Sequence, residues 1–162
     1  MALSLGLATL ALIFYFGVDR SPPGWQHDYL VDHSTDDTTL RYRLEAENGG
    51  GRLYMLCKPN RPVEALLVAD RPLGTSGRAQ HRVNMRFDEG ASVEGLFGVV
   101  GDTINFTEAA DRAATDFIAQ LAASRWLALD MTPPSGEGTP LTTTFATTGA
   151  DDVLVELREV CT

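Results

Sequence analysis

Between residues 39 and 46 the chain reads TLRYRLEA, where Leu40, Tyr42, Leu44 and Ala46 alternate with Thr39, Arg41, Arg43 and Glu45. A two-residue repeat puts the apolar set on one face of a strand and the polar set on the other. ENGGGR interrupts the repeat as a turn and LYMLC follows as a second strand, so a hairpin is predicted. VEALLVA, residues 63 to 69, is apolar on both faces except at Glu64, the pattern of a strand covered on both sides and a candidate for the sheet centre. After the loop RPLGTSGRA, alternation resumes in QHRVNMRF, with Val83, Met85 and Phe87 inward and Arg82, Asn84 and Arg86 outward. ASVEGLFGVVG reads as a further strand in which Gly95 and Gly98 mark a bulge or a close backbone approach. The first two thirds of the chain therefore predict an antiparallel, meandering sheet.

Past DTINF the period changes. Ala110, Ala113, Ala114, Phe117, Ile118 and Leu121 recur at intervals of three and four, the spacing of one helix face, with Thr107 as its cap and Glu108 and Arg112 as an i, i+4 pair. RWLALDM is a short strand, TPPSGEGTP a loop and LTTTFATT a Thr-rich strand. A last helix is predicted over GADDVLVELREVC, opened by Thr148 and Asp151 as a capping box, with acids early and Arg158 late, as the helix dipole prefers. Val153, Leu154, Leu157 and Cys161 share one side of it. The predicted class is α+β, an antiparallel sheet or partial sandwich with two helices in the C-terminal half.

The amino end follows neither period. Residues 1 to 18 carry no charged side chain, and the apolar run Ala2 to Val18 reaches the lower length limit of a bilayer-spanning helix while exceeding a signal-peptide core. A retained N-terminal transmembrane anchor over residues 1 to 18 is expected, joined by a Pro/Gly linker over residues 19 to 24 to one domain over residues 25 to 162. Ala2 with Gly6, and Ser4 with Ala8, are small-xxx-small pairs along which another membrane helix could approach. No Lys or Arg precedes the run, so orientation has to be read elsewhere.

Charge and cysteine usage narrow the partners and the compartment. A formal net charge of -9 opposes nucleic acid, which requires a field of the opposite sign. Cys57 and Cys161 are the only cysteines and lie too far apart for a C-x-x-C pair or a zinc knuckle. Two separate buried thiols, a metal shared with histidines, or one disulfide all remain open. The disulfide gives the best reason for a cysteine one residue from the end, as a clamp on a terminus that otherwise frays. It places residues 19 to 162 on the oxidising side of the membrane.

Catalytic chemistry finds little support. GASVEG has Glu94 where the second glycine of a nucleophile elbow belongs, and glycine patterns for dinucleotides or phosphates are absent. His27, Asp28, Asp32, His33, Asp36 and Asp37 crowd into residues 27 to 37, yet their spacing matches neither zinc nor calcium motifs and reads as a solvated strand end and turn. No cofactor and no metal is expected. Arg82, Asn84 and Arg86 project from one strand and Arg41 and Arg43 from another. Were the two strands neighbours, they would form a cationic face for a carboxylate or phosphate partner; ordinary cross-strand ion pairing is the alternative.

Trp25, the following DDTT, the strand cysteine in LYMLCKPN, RVNMRFD, FIAQLAASRWLAL and the ending FATTGADDVLVELREVC together resemble the VasI/TagO-like envelope proteins associated with type VI secretion, over roughly residues 25 to 162. The resemblance implies a non-catalytic accessory or scaffold protein of a cell-envelope complex, anchored in the bacterial inner membrane with its domain in the periplasm and protein subunits as partners. An accessory subunit of another integral membrane complex, for example a bioenergetic one, and a small-ligand-binding periplasmic domain are the other expectations.

Overall fold

The computed structural model describes residues 21–34, 37–73, 79–107, 112–133 and 140–161. The alternation predicted over residues 39–46 and 80–87 carries into the second and fifth of the strands among the described residues, which are β1 (Trp25–Asp32), β2 (Asp37–Glu45), β3 (Gly51–Cys57), β4 (Glu64–Ala69), β5 (Ala79–Phe87), β6 (Val93–Val100), β7 (Thr103–Asn105), β8 (Trp126–Thr132) and β9 (Leu141–Ala146). They form one antiparallel sheet in the order β1-β2-β3-β4-β7-β6-β5-β8-β9. Among the described residues two helices, α1 (Arg112–Ala123) and α2 (Ala150–Cys161), complete an α+β fold with both helices in the C-terminal half.

The sheet departs from a simple meander after β4. β5, β6 and β7 run back toward β4, so that β7 closes the gap by pairing Ile104 with Leu67 on one side and with Val99 on the other. Ile104 is fully buried there, which offsets the ordering of so short a strand. Along β2 the core side is Leu40, Tyr42 and Leu44, and along β5 it is Val83 and Met85, as the two-residue period requires. β4 lies inside the sheet, with Ala65, Leu67 and Ala69 buried and Leu66 and Val68 half-buried on the other face. Phe106, following β7, stacks on Phe117 of α1 at 4.2 Å between ring centroids and meets Phe97 of β6 edge-on at 5.1 Å.

The sheet curls until its last strand meets the β2–β3 turn. Glu47 N–H donates to the Thr144 carbonyl at 2.9 Å, and Asn48 brackets β9, its Oδ1 accepting from Thr144 N–H at 3.0 Å and its Nδ2 donating to the Thr142 carbonyl at 3.2 Å. Gly49 and Gly50, with φ of 73° and 96°, provide the left-handed backbone that this turn needs. The β9 edge is therefore covered, as exposed sheet edges need to be. Among the described residues β1, at the other end of the order, has no such cover.

α2 buries Ala150, Val153, Leu154, Leu157 and Cys161, an i, i+3, i+4, i+7 stripe, against α1, β2 and β3. Asp151 and Asp152 occupy its first turn and Arg158 its last. Cys161 is joined to Cys57 at the end of β3 by a disulfide with a Cα to Cα distance of 6.1 Å, within the range such bonds span. The two cysteines are only 5% and 1% exposed. Asn60 N–H donates to the Cys161 carbonyl at 3.1 Å, a second tie at the same point.

The expected anchor, with Ala2, Ser4, Gly6 and Ala8, lies outside the described residues, as do Glu108 of the predicted helix pair and Asp36 of the acidic cluster. Among the described residues no helix is long and apolar enough to cross a membrane.

Candidate interaction surface

The arginine faces fall on strands that are not neighbours, because β3, β4, β7 and β6 separate β2 from β5. The combined cationic patch that adjacency would have created does not form. Each guanidinium instead meets groups set beside it by the register. Arg41 lies directly opposite Asp28 on β1 and grips it with two bonds, Nε to Oδ1 at 2.8 Å and a second from the terminal nitrogen at 2.5 Å. That hydrogen bonding, more than the opposite charge alone, holds the Asp28 carboxyl below its usual range and raises Arg41 above its own. Arg41 also lies 5.1 Å from the Tyr54 ring centre. Arg43 donates to Gln26 and lies 3.2 Å from Glu45, two residues along its own strand.

On β5, Arg82 lies 3.2 Å from Glu94 of β6, and Asn84 stands between Glu94 and Asp130 in the register. Arg86 sits 5.3 Å over the Trp126 ring beside Asp88 and Glu89. Asp88 is bound into the fold itself, since its Oδ1 accepts from both Arg125 N–H and Trp126 N–H at 2.9 Å and so fixes the start of β8.

The polar run of residues 27 to 37 is spread along β1 and its turn. His27 Nδ1 shares a 2.6 Å hydrogen bond with Ser21, Asp28 is held by Arg41, and Asp32 accepts from Ser34 N–H at 2.9 Å and Ser34 Oγ at 2.6 Å in a local turn. His27 and Asp28 point to opposite faces of the strand. Among the described residues no three His, Cys, Asp or Glu side chains come together in a way that could hold a metal ion.

A trough between α2 and the outer sheet has no signature in the sequence. Its walls are Asp152, Val155, Glu156, Glu159 and Val160 of α2, facing Ser21, His27 and Tyr42, around a volume of about 570 Å³. The helix residues recur at i, i+3, i+4, i+7 and i+8, so they form a second stripe beside the core-facing one. His27 packs on Tyr42 at 5.5 Å and Tyr29 at 6.2 Å between ring centres, and past the trough's own lining the same face of β1 continues to Tyr29 and Val31. There Tyr29 and Val31 are 56% and 50% exposed although they share a face with buried Leu40 and Tyr42. Large apolar side chains left open together on one face are the usual mark of an interaction site.

His81 is the one titratable group among the described residues buried without a partner on either ring nitrogen, at 1% exposure on the core side of β5. Burial alone lowers its pKa, because no nearby charge or bond favours the imidazolium.

No family model matches the chain, and no curated protein matches it. Among solved structures the chain is similar to the crystal structure of invasion associated protein b from Bartonella henselae, at 17% identity and a TM-score of 0.49, over 84% of this chain and 94% of that one.

Proposed function

We propose that the protein is a non-catalytic accessory or scaffold component of a bacterial cell-envelope complex, anchored in the inner membrane by residues 2 to 18 with its α+β domain in the periplasm, in the manner of the VasI/TagO-like proteins it resembles. The observation that carries this reading is the staple between Cys57 and Cys161, which ties the end of β3 to the last residue of α2. A buried structural disulfide is at home in an oxidising compartment and rare in a reducing one. The uncharged run at the amino end supplies the route out of the cytosol. The carboxylates and apolar side chains gathered at the trough favour protein binding over chemistry, and the arginines of β2 and β5 are already held by neighbouring acids and rings.

Purification of the full-length protein in mild detergent tests the proposal. Stoichiometric envelope proteins should accompany it, and replacing residues 2 to 18 with an unrelated membrane helix should reduce their recovery if the span packs against them. A protein that stays monomeric and unaccompanied at native expression, or one recovered with both thiols free, overturns the reading. The identity of the co-purifying subunits separates a secretion-associated assembly from another membrane complex.

A further inference from the structure

We propose that the trough between α2 and β1 is the docking site for a cationic amphipathic helix of a partner protein. The inference rests on the accessory reading for the existence of such a partner, but its geometry stands by itself. α2 lies over β2 and β3, and beyond buried Trp25 the core-side face of β1 is exposed at His27, Tyr29 and Val31. Helices in one layer pack about 8–10 Å apart, so the next place beside α2 is above β1. α2, with 12 residues, offers about 18 Å of wall, enough for three turns of an incoming helix.

The chemistry of the walls selects the occupant. Tyr29 and Val31 on the adjoining face of β1, and Val155 and Val160 on the helix, are all about half exposed and require an apolar stripe. Asp152, Glu156 and Glu159 lie on the same flank of α2, and among the described residues no ion pair engages them. With a net charge of -9 the protein repels anionic lipid and a second copy of itself, while Lys and Arg on a partner are attracted. A strand added to the edge of β1 is the competing geometry. It would satisfy backbone groups but leave Tyr29 and Val31 open, because these project from the face and not from the edge. A helix covers both and the two valines together.

The test uses the full chain in mild detergent and a labelled 14-residue peptide of Leu and Lys, with Leu at helical spacing, titrated by fluorescence anisotropy. A peptide of identical composition with Leu and Lys strictly alternating serves as the strand-forming control. The helical peptide should bind more tightly than the alternating one. Asp152→Lys, Glu156→Lys and Glu159→Lys together should weaken it by about tenfold or more. The same three reversals at exposed Glu89, Asp102 and Asp130 should weaken it by less than about threefold, through net charge alone. Val155→Ser with Val160→Ser should also weaken it. None of the substituted side chains belongs to the core, so the melting temperature should confirm an intact fold. Equal losses from the two triple variants, or equal binding of the two peptides, overturn the proposal. If the natural complex co-purifies undiminished with the trough reversals, the trough fails while the accessory role stands. If the peptide binds as expected and no complex exists, the reverse holds.

Discussion

Reducing the Cys57–Cys161 bond should cost the fold a large part of its stability. The two cysteines are 104 residues apart, and closing a loop of that length removes about 4.7 kcal/mol of chain entropy from the unfolded state. Domains of this size are stable by roughly 5–15 kcal/mol, and each kcal/mol moves the melting temperature by about 2–4 °C. A fall of about 10–18 °C is therefore expected. Substitution by alanine mixes this effect with lost packing, so the cleaner comparison is oxidised against reduced wild-type protein, the latter unfolded and refolded in reductant. Circular dichroism melts read the difference. Thiol labelling of the native oxidised protein should find nothing, and labelling of the native reduced protein should be slow, because both sulfurs are buried. Identical melting temperatures for two well-folded forms would refute the reasoning, since the staple would then constrain an unfolded chain that is already compact at that point.

The other predictions concern single side chains. His81 takes up a proton in the unfolded chain near pH 6.5 but resists it when buried, so stability should be intact above that value and fall as pH drops toward the lower folded pKa; His81→Leu should flatten this part of the melting-temperature profile. Asp88→Ala removes the acceptor of two backbone N–H groups and leaves alanine at a φ of 48°, a loss of about 1–3 kcal/mol by denaturant titration, whereas Asp88→Asn should cost much less. A double-mutant cycle on Asp28 and Arg41 should give a coupling of about 0.2–1 kcal/mol, because the Asp28 side chain is 50% exposed. It should shrink with salt, and also with acid as pH falls through the lowered Asp28 pKa.

What can be read from the sequence follows from how each element is buried. β2, β5 and β9 each have one wet face and alternate accordingly, β3 is buried or half-buried throughout and shows as a short apolar run after a glycine turn, and α2 announces itself by its five buried positions at helical spacing. β1 is obscured because its alternation is blurred by polar His27 on one face and apolar Leu30 on the other, and seven of its eight residues are exposed. β7 is too short to show a period, and its place beside β4 follows from a long-range fit of Ile104 against Leu67. Distance along the chain also obscures the arginines, whose strands are regular but separated by four others in the sheet. The cysteines are legible because there are only two. The trough is not, since its helix wall consists of polar and apolar residues that would be ordinary surface on a helix with no ledge beside it.

The disulfide also divides the chain into a covalent ring and a tail. Everything from Cys57 to Cys161 lies within the ring, while β1, β2 and the part of β3 before Cys57 lie outside it, toward the proposed anchor. Tension applied from the amino end would strip β1, β2 and then β3 from the sheet, extending the chain by up to roughly 3.5 Å per residue released, and would then arrive at a sulfur bridge that hydrogen bonds need not resist alone. A molecule held at one end by a bilayer and at the other by a larger assembly would thus have a short extensible leader and a mechanical stop.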